Sequence, residues 1–330
     1  MTMNFRSFVG AAAIALIGTS AWAADFTMRL SHQFPPTHHT AILLQQFAKD
    51  VAADTNGKVK VQIFGAAQLY APKQQIAAVA SGDVEAAAVV NLQWGGTLPE
   101  MGVTLIPYLV SSPEAQRAFI KSAAAQFLDD KMLKHGVKNI GWIVDTNDLI
   151  FTSNGHPLNT PADFKGVKIR GLSPLFDKGL VAMGATPVVM AGSETYQALQ
   201  TGVIDAGITG VQAAYSRKFY EVQKYGRAAP IFVAFDNLVV NPAWWNKLPK
   251  DVQDGITKAA DKAVSASITP TDGIDPKDIE NLKRVGMDAR AWTDAENAAI
   301  KAAMQPAVRK AFVDQTGAEG QKLLDLVSKM

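Results

Sequence analysis

The clearest hydrophobic pattern in the chain alternates short apolar runs with segments of helical periodicity. Val167–Arg170 is typical of a short strand, and the apolar run Pro187–Met190 predicts a second one. Ser193 is placed to cap a helix over Glu194–Thr201, because a serine side chain accepts hydrogen bonds from the first helical amides. Val203–Ile208 then predicts a buried strand. Strands and helices that alternate in this way predict a parallel sheet with right-handed crossovers.

A related pattern occurs earlier in the chain. Ala78–Ala87 aligns with Ala198–Gly207, and each has a helix end, a glycine and a strand with an acidic residue at the same place. A strand that ends in glycine precedes each of them, Val59–Gly65 and Val167–Gly171. The two matches predict two α/β lobes of related design, and the alternative is a coincidence within one larger sheet. A cleft between two lobes is a favoured place for a ligand.

The composition indicates the number of domains and gives no support for some classes of binding partner. The chain has 330 residues, 48% of them hydrophobic and 19% charged, which is an ordinary globular composition for about two domains. The net charge is +2 with no long block of one sign, so nothing favours nucleic acid or an anionic membrane surface. There is no cysteine, which excludes disulfides and a lipid-modified cysteine.

The first 23 residues predict the cellular location of the protein. Arg6 precedes an apolar run over Phe8–Ile17, and the small residues Ala21 and Ala23 form an Ala-x-Ala cleavage site before Ala24. The alternative is a membrane anchor, but this run is much shorter than the roughly 20 residues that span a bilayer. Residues 1–23 are therefore predicted to be a signal peptide, and the mature protein is predicted to be exported to the periplasm.

Signatures of catalysis are absent from the sequence. It has no G-x-S-x-G, G-x-G-x-x-G or phosphate-loop motif, and no cysteine nucleophile. His32, His38 and His39 cluster near the start, but H-E-x-x-H spacing is missing and adjacent histidines point in different directions in most backbones. We expect no catalysis, no cofactor and no metal site.

Polar side chains follow the predicted strands where each one ends. Arg170 is the last residue of its strand, and the carboxyl ends of parallel strands form the rim where ligands bind. Its guanidinium matches a carboxylate through two parallel bonds, although a surface salt bridge is the plainer alternative. Asn91 and Gln93 follow the strand Ala86–Val90, and Trp94 offers either a flat apolar wall or core packing.

At this point a family resemblance becomes visible. The run KGVKIR…GATPVVM…SETYQALQTGVIDAG…RKFYEVQKY closely resembles the substrate-binding proteins of TRAP (tripartite ATP-independent periplasmic) transporters. The resemblance also covers Phe26–Gln68, Ser81–Val110 and Phe312–Leu324. It implies the two-lobed periplasmic binding protein fold, with two α/β domains joined by hinge strands around a ligand cleft.

The resemblance also implies domain limits. The first lobe would take residues 24–147 and 238–278, and the second lobe would take residues 148–237 and 279–330. The crossings would fall around Asp145–Phe151 and Phe235–Val240. Such hinges let the lobes close on a ligand.

In that family the arginine that matches Arg170 holds the substrate carboxylate. Thr209, Asn91 and His39 would add polar contacts. Trp94 and Leu149 would form apolar walls. The full set of predicted contacts is Arg170, Thr209, Asn91, His39, His38, Gln93, Trp94, Leu149, Gly192 and Phe235.

Three departures from the family pattern narrow the ligand. Leu149 stands near the place of a second arginine, Thr209 replaces an asparagine, and Gly192 replaces a bulky aromatic residue. A second buried carboxylate would then lack a cationic partner, which argues against a dicarboxylate unless another arginine such as Arg217 substitutes. We therefore expect a monocarboxylate with a sizeable apolar or aromatic body.

The predicted function is that of a monomeric solute-binding protein, which takes a small organic acid to a TRAP membrane permease and binds no nucleic acid. Two alternatives stay open. One is a binding protein of an ABC importer or a sensor kinase, and the other is a periplasmic enzyme of similar shape.

Overall fold

The computed structural model describes residues 24–268 and 276–330, so the predicted signal peptide lies outside the described residues. The strands are β1 (Phe26–Ser31), β2 (Val59–Phe64), β3 (Ala86–Val90), β4 (Lys138–Thr146), β5 (Leu149–Ser153), β6 (Lys168–Gly171), β7 (Thr186–Val189), β8 (Ala206–Gly210), β9 (Tyr225–Ala229), β10 (Ala234–Val240) and β11 (Asp288–Ala291). The helices are α1 (His39–Asp54), α2 (Gln75–Ser81), α3 (Pro113–Ile120), α4 (Ala123–Lys134), α5 (Asp177–Ala182), α6 (Gly192–Gln200), α7 (Val211–Ser216), α8 (Pro242–Trp245), α9 (Lys250–Ser267), α10 (Pro276–Arg284) and α11 (Asp294–Val327).

The strands form two sheets, and we call the part built on each sheet a lobe. The first lobe has the strand order β2-β1-β3-β10-β4, in which β1 is parallel to β2 and β3 while β10 is antiparallel to β3 and β4. The second lobe has the order β11-β9-β5-β8-β6-β7, in which β6 is parallel to β7 and β8 while β5 is antiparallel to β8 and β9. The expected two-lobed α/β architecture is confirmed.

The chain passes between the sheets at two short connections in its central part. β4 of the first sheet ends at Thr146 and β5 of the second begins at Leu149. The return falls between Ala229, where β9 ends, and Ala234, where β10 begins. All of β10, including Phe235, therefore belongs to the first sheet.

The repeated helix–glycine–strand junction has the same geometry in both lobes. Gly82 and Gly202 follow the helix ends α2 and α6 with φ of 83° and 70°, a left-handed conformation that suits glycine. The two amides after each glycine donate to one helix carbonyl, that of Ala78 in the first lobe and that of Ala198 in the second. This closure keeps 203–205 out of β8, so the strand predicted over Val203–Ile208 begins at Ala206 instead.

An acidic side chain then ties each junction to the neighbouring strand. Glu85 accepts a hydrogen bond from the backbone amide of Arg29 in β1 at 2.8 Å. Asp205 accepts one from the backbone amide of Lys168 in β6 at 3.1 Å. The internal similarity in the sequence therefore corresponds to a structural repeat.

Helix α11 packs on both lobes. Ile300 and Met304, in its first half, lie in a hydrophobic cluster with second-lobe residues. Phe312 and Leu323, further along, lie in a cluster with the first-lobe core. The backbone departs from helical geometry at Gly317, between those two residues. Among the described residues, no helix combines the length and the apolarity needed to cross a bilayer.

Candidate ligand-binding site

A small cavity lies where the carboxyl ends of strands from both sheets meet. Its volume is about 30 Å³. On the same measure one water molecule needs about 10–15 Å³, so the cavity is very small. The lining residues are Gln33, Phe34, Val90, Leu92, Gln93, Asp145, Thr146, Leu149, Arg170, Leu172, Gly192, Thr209, Gly210, Arg217, Phe232 and Ala234. Five of the ten predicted contacts are among them.

Arg170 reaches this cavity from near the end of β6 and is only 4% exposed. Its Nε donates to the Met190 carbonyl at 3.3 Å and its Nη1 donates to the Ile208 carbonyl at 2.6 Å. No described residue accepts a hydrogen bond from its Nη2. Burial, and then the nearby charge of Arg217, lower the pKa of Arg170. The guanidinium is therefore held in place by neutral carbonyls, and no described carboxylate lies within ion-pair distance of it, although the charges of Asp177, Glu194 and Asp145 favour its charged form.

Thr209 and Leu149 lie side by side in the second sheet. Ile150 pairs with Thr209 and Leu149 pairs with Gly210, so both predicted residues stand at the rim of neighbouring antiparallel strands. The Thr209 hydroxyl oxygen accepts a hydrogen bond from Nη1 of Arg217 at 3.2 Å, which leaves its own proton to donate. Leu149 adds an apolar surface to the cavity.

Arg217 brings a second guanidinium to the cavity from the C-terminal end of α7. It also lines a groove of about 490 Å³ beside the cavity, together with Ser193 and Tyr196. Burial lowers the pKa of Arg217, and the charges of Asp145 and Asp236 oppose that shift. The sequence analysis left open that another arginine such as Arg217 takes the place of the second cationic group, and Arg217 does line the cavity.

Gly192 leaves the space that this arginine fills. It is the first residue of α6, and a Cβ placed on it would lie 2.7 Å from Nη1 of Arg217 and 3.0 Å from Cζ. A contact that short would displace the guanidinium. Gly192, which stands where the resembled family has a bulky aromatic residue, therefore leaves room for the Arg217 guanidinium.

The first lobe supplies a neutral wall and one carboxylate. Gln33 and Phe34 follow β1, Leu92 and Gln93 follow β3, and Asp145 lies near the end of β4. Oδ1 of Asp145 accepts a hydrogen bond from the Thr40 hydroxyl at 3.0 Å. Of these five cavity residues, only Gln93 is among the predicted contacts.

The other predicted residues on this side are placed elsewhere. The Asn91 side chain donates to the Thr104 hydroxyl at 2.8 Å, and Trp94 is buried and donates to Oδ1 of Asn237 at 3.0 Å. Asn91–Gly96 is a 3₁₀ helix, in which residues three apart lie on the same side. Asn91 and Trp94 therefore face the core together, while Leu92 and Gln93 face the cavity.

Phe235 is also placed away from the cavity. It is fully buried on β10 and stacks on Phe119, with ring centroids 5.4 Å apart. Trp142 meets the same ring edge-on at 5.4 Å. Aromatic packing of this kind belongs to the first-lobe core.

The two predicted histidines lie next to the cavity without lining it. Nδ1 of His38 accepts a hydrogen bond from the Thr40 amide at 3.2 Å, so this buried histidine caps α1. His39 lies in a second groove of about 560 Å³. Its Nδ1 is 3.0 Å from Oε1 of Gln212 and its Nε2 is 2.6 Å from the Asp145 carbonyl oxygen. His39 thus links the first lobe to α7 of the second.

His38, His39 and Asp145 also place potential metal-ligand atoms within 4.8 Å of one another. Because Nδ1 of His38 accepts a hydrogen bond, a neutral His38 carries its proton on Nε2. That nitrogen then has no lone pair for a metal. The tautomer therefore argues against a metal ion at this cluster.

Several lining residues were missed at the sequence level. Gln33, Phe34, Asp145 and Thr146 follow or end strands, so the rule that selected Arg170 could have found them. Phe232 and Ala234 come from the return connection between the sheets and its junction with β10, and no sequence signal marks them.

The comparisons with known proteins give the family. A model of the family described as bacterial extracellular solute-binding protein, family 7 (DctP), matches residues 30–315. The chain belongs to this family. Its members are solute-binding proteins rather than enzymes, as the missing catalytic motifs led us to expect.

Individual relatives agree with this assignment. The chain is 29% identical to the C4-dicarboxylate-binding periplasmic protein DctP of Rhodobacter capsulatus, over 95% of this chain and 94% of that protein. It is 30% identical to a solute-binding protein of Albidiferax ferrireducens, over 76% of this chain and 75% of the relative.

Solved structures show the same fold. A TRAP periplasmic solute-binding protein of Desulfovibrio salexigens with bound orotic acid matches with a TM-score of 0.84 and 27% identity, over 92% of this chain and 97% of that one. One from Sulfurospirillum deleyianum with bound succinate matches with a TM-score of 0.81 and 25% identity, over 92% and 100%. The expected relationship to TRAP solute-binding proteins is confirmed.

Proposed function

We propose that this solute-binding protein captures a small monocarboxylate with a compact apolar or aromatic body and delivers it to a TRAP membrane permease. The observation that carries the proposal is Arg170, buried at the cavity with Nη2 unpaired among the described residues. A carboxylate at that nitrogen would gain a charge-assisted hydrogen bond and neutralise a desolvated charge.

The charges of the lining residues support an anionic ligand. Arg170 and Arg217 contribute two positive charges to the cavity lining, and Asp145 contributes one negative charge. The lining side chains therefore carry an excess of positive charge, which a ligand carboxylate would reduce.

The apolar lining of the cavity supports the rest of the proposal. Phe34, Leu149, Leu172 and Phe232 provide hydrophobic surface. A volume of about 30 Å³ has room for only two or three waters, so an apolar or aromatic acid requires the lobes to move apart. The relatives include proteins named for dicarboxylates and one with bound orotic acid, an aromatic monocarboxylate, so the family accommodates both classes.

We further propose that residues 1–23 direct export to the periplasm and are removed before Ala24. Mass spectrometry of the exported protein tests this directly, and an N-terminus that begins at Ala24 is the expected result. The relatives named as periplasmic support the location.

The ligand class is tested by thermal-shift measurements with orotate, benzoate and succinate on the wild type and on Arg170→Ala. At 100 times its dissociation constant a ligand adds about 2.7 kcal/mol of stability. We expect the monocarboxylates to stabilise the wild type and to lose that effect in the variant. If succinate stabilises most, the monocarboxylate proposal is wrong. If no organic acid acts, the ligand class itself is wrong.

The partner is tested by the genes that surround this one. TRAP permease genes beside it support the proposed partner, whereas an ATPase gene or a sensor kinase gene would favour the other binding-protein systems. A product assay with the stabilising acid covers the remaining alternative, an enzyme on the same scaffold.

A further inference from the structure

Arg217 lacks the partners that a structural arginine has in this protein. Arg227, which is 4% exposed, shows what such an arginine looks like: Nε donates to Oδ1 of Asn159 at 2.8 Å, and Nη2 lies 3.1 Å from the Asp288 carboxylate. Its Nη1 donates to two backbone carbonyls as well. All three of its nitrogens are used.

Arg217 makes one hydrogen bond among the described residues, from Nη1 to the Thr209 hydroxyl at 3.2 Å. Its Nε is buried without an acceptor. No described carboxylate lies within ion-pair distance of it, although Asp145 lines the same cavity. A buried donor without an acceptor is unfavourable, so an anion that accepts a hydrogen bond from this group would stabilise it.

The two cavity arginines converge on one place. Nη1 of Arg170 donates to the carbonyl of Ile208 and Nη1 of Arg217 donates to the side chain of Thr209, the next residue of β8. Both guanidinium groups line the same cavity, and the charge of Arg217 lowers the pKa of Arg170. A cavity of about 30 Å³ leaves no room for two separate carboxylates.

We propose that Arg217 is a ligand-binding residue which, with Arg170, holds the same ligand carboxylate, and that Gly192 determines specificity by leaving space for the Arg217 guanidinium. This inference rests on the proposed function and assigns the second cation to α7 instead of to the hinge segment. A carboxylate placed between two guanidinium groups would offer both oxygens to charged donors, and the Thr209 hydroxyl would add a neutral one.

The main test compares Arg217→Met with Arg227→Met, a matched change of a buried arginine outside the cavity. Sodium acetate, the smallest common carboxylate with a methyl group, serves as the probe, with sodium chloride at equal ionic strength as reference. Loss of one charge-assisted contact predicts acetate binding weaker by about 10- to 100-fold in Arg217→Met. Arg227→Met should lower the melting temperature and leave acetate affinity unchanged.

The glycine is tested by a double-mutant cycle. Gly192→Ala alone should weaken acetate binding, because its Cβ would lie 2.7 Å from Nη1 of Arg217. In the Arg217→Met background the same change should have little further effect, since the group it displaces is gone. Gly155→Ala is the control, as no atom lies within 4 Å of a Cβ there.

The outcomes separate the two proposals. If acetate does not stabilise the wild type beyond chloride, the proposed carboxylate function fails. Acetate could stabilise the wild type and Arg217→Met equally and have no effect on Arg170→Ala. In that case the proposed function stands and the proposed role of Arg217 is overturned. A lower melting temperature of unliganded Arg217→Met with unchanged acetate affinity would identify Arg217 as a structural residue.

Discussion

The two lobes share a construction and differ in chemistry. Each has a helix that ends in a left-handed glycine, an acidic side chain bonded to a neighbouring strand amide, and a strand that leads to the cavity. Past that point the lobes diverge: the second lobe contributes Arg170, Thr209 and Arg217, while the first contributes amide and apolar side chains with one carboxylate.

The difference shows that the shared architecture of the lobes does not determine which side chains line the cavity. The junction fixes where β3 and β8 begin, but the residues at and beyond the carboxyl ends of these strands decide what each lobe offers. We therefore expect an anion to be held chiefly by the second lobe, with the first lobe closing over it. Electrostatic binding and apolar enclosure are then separable by mutation.

The largest effect should come from a residue that the sequence placed in the site and the structure places in the first-lobe core. Phe235→Ala should lower the free energy of unfolding by about 3–5 kcal/mol, because a fully buried aromatic ring leaves a cavity when it is removed. Urea denaturation measures this loss. Preserved stability with abolished ligand binding would instead return Phe235 to the ligand site.

The comparison becomes sharper when one cavity residue of each lobe is changed. Arg170→Met should weaken binding of the stabilising acid by roughly 2–5 kcal/mol, since a buried charged contact is lost. Gln93→Ala should cost about 1 kcal/mol, the value of a neutral hydrogen bond. Isothermal titration calorimetry on both variants measures the two losses of binding free energy. Equal losses would show that the first lobe binds the ligand as strongly as the second.

Two carboxyl groups, one in each lobe, should respond in opposite ways to acid. In the first lobe, burial raises the pKa of Asp129 to about 6, against hydrogen bonds from Asn139 and Trp142. Because the folded state takes up this proton before the unfolded state does, the stability contributed by protonation is fully present below pH 4 and is lost as pH rises through 6. Asp129→Asn should reduce the total slope by about 3 kcal/mol. The buried Asp148 and Asp177 of the second lobe, whose pKa values burial also raises to about 6, should keep the rest.

The control for that experiment is Glu296 in the second lobe, whose contribution to stability changes with pH in the opposite direction. Hydrogen bonding with Arg290 lowers the pKa of Glu296 to about 2, so its contribution is present above pH 4.5 and is lost as pH falls towards 2. Glu296→Gln should leave the slope between pH 4 and 6 intact. Denaturation curves at four pH values distinguish the variants, and an unchanged slope in Asp129→Asn would contradict the assignment.

The smallest effect concerns the repeated junction itself. Glu85 accepts three hydrogen bonds from Arg29, from N, Nε and Nη2, whereas Asp205 accepts one from the Lys168 amide. Glu85→Gln should cost about 1 kcal/mol because the ion pair is partly exposed, and Asp205→Asn should cost less. Equal costs in urea denaturation would mean that the shared amide contact matters and the Arg29 side chain does not.

Much of the fold followed from local rules, and part of the site did as well. Strand ends before a glycine located Arg170, and helix–glycine junctions revealed the two lobes. Asn91 and Trp94 were misplaced because a strand-end rule cannot tell which side of the following 3₁₀ turn faces the cavity. Arg217 was only an open alternative, since its position depends on Gly192, a residue 25 positions earlier that touches it only after folding.

Helix α11 gives the protein a mechanical property that its two crossings alone would not. Because the part of α11 before Gly317 is anchored in both lobes, parting them must shear that anchorage as well as bend two strand connections. The stiffness of the opening motion, and with it the residence time of a captured solute, is then set partly by apolar contacts of Met304 and Phe312 rather than by cavity residues. Substitutions on this helix should change release rates without touching the bound molecule.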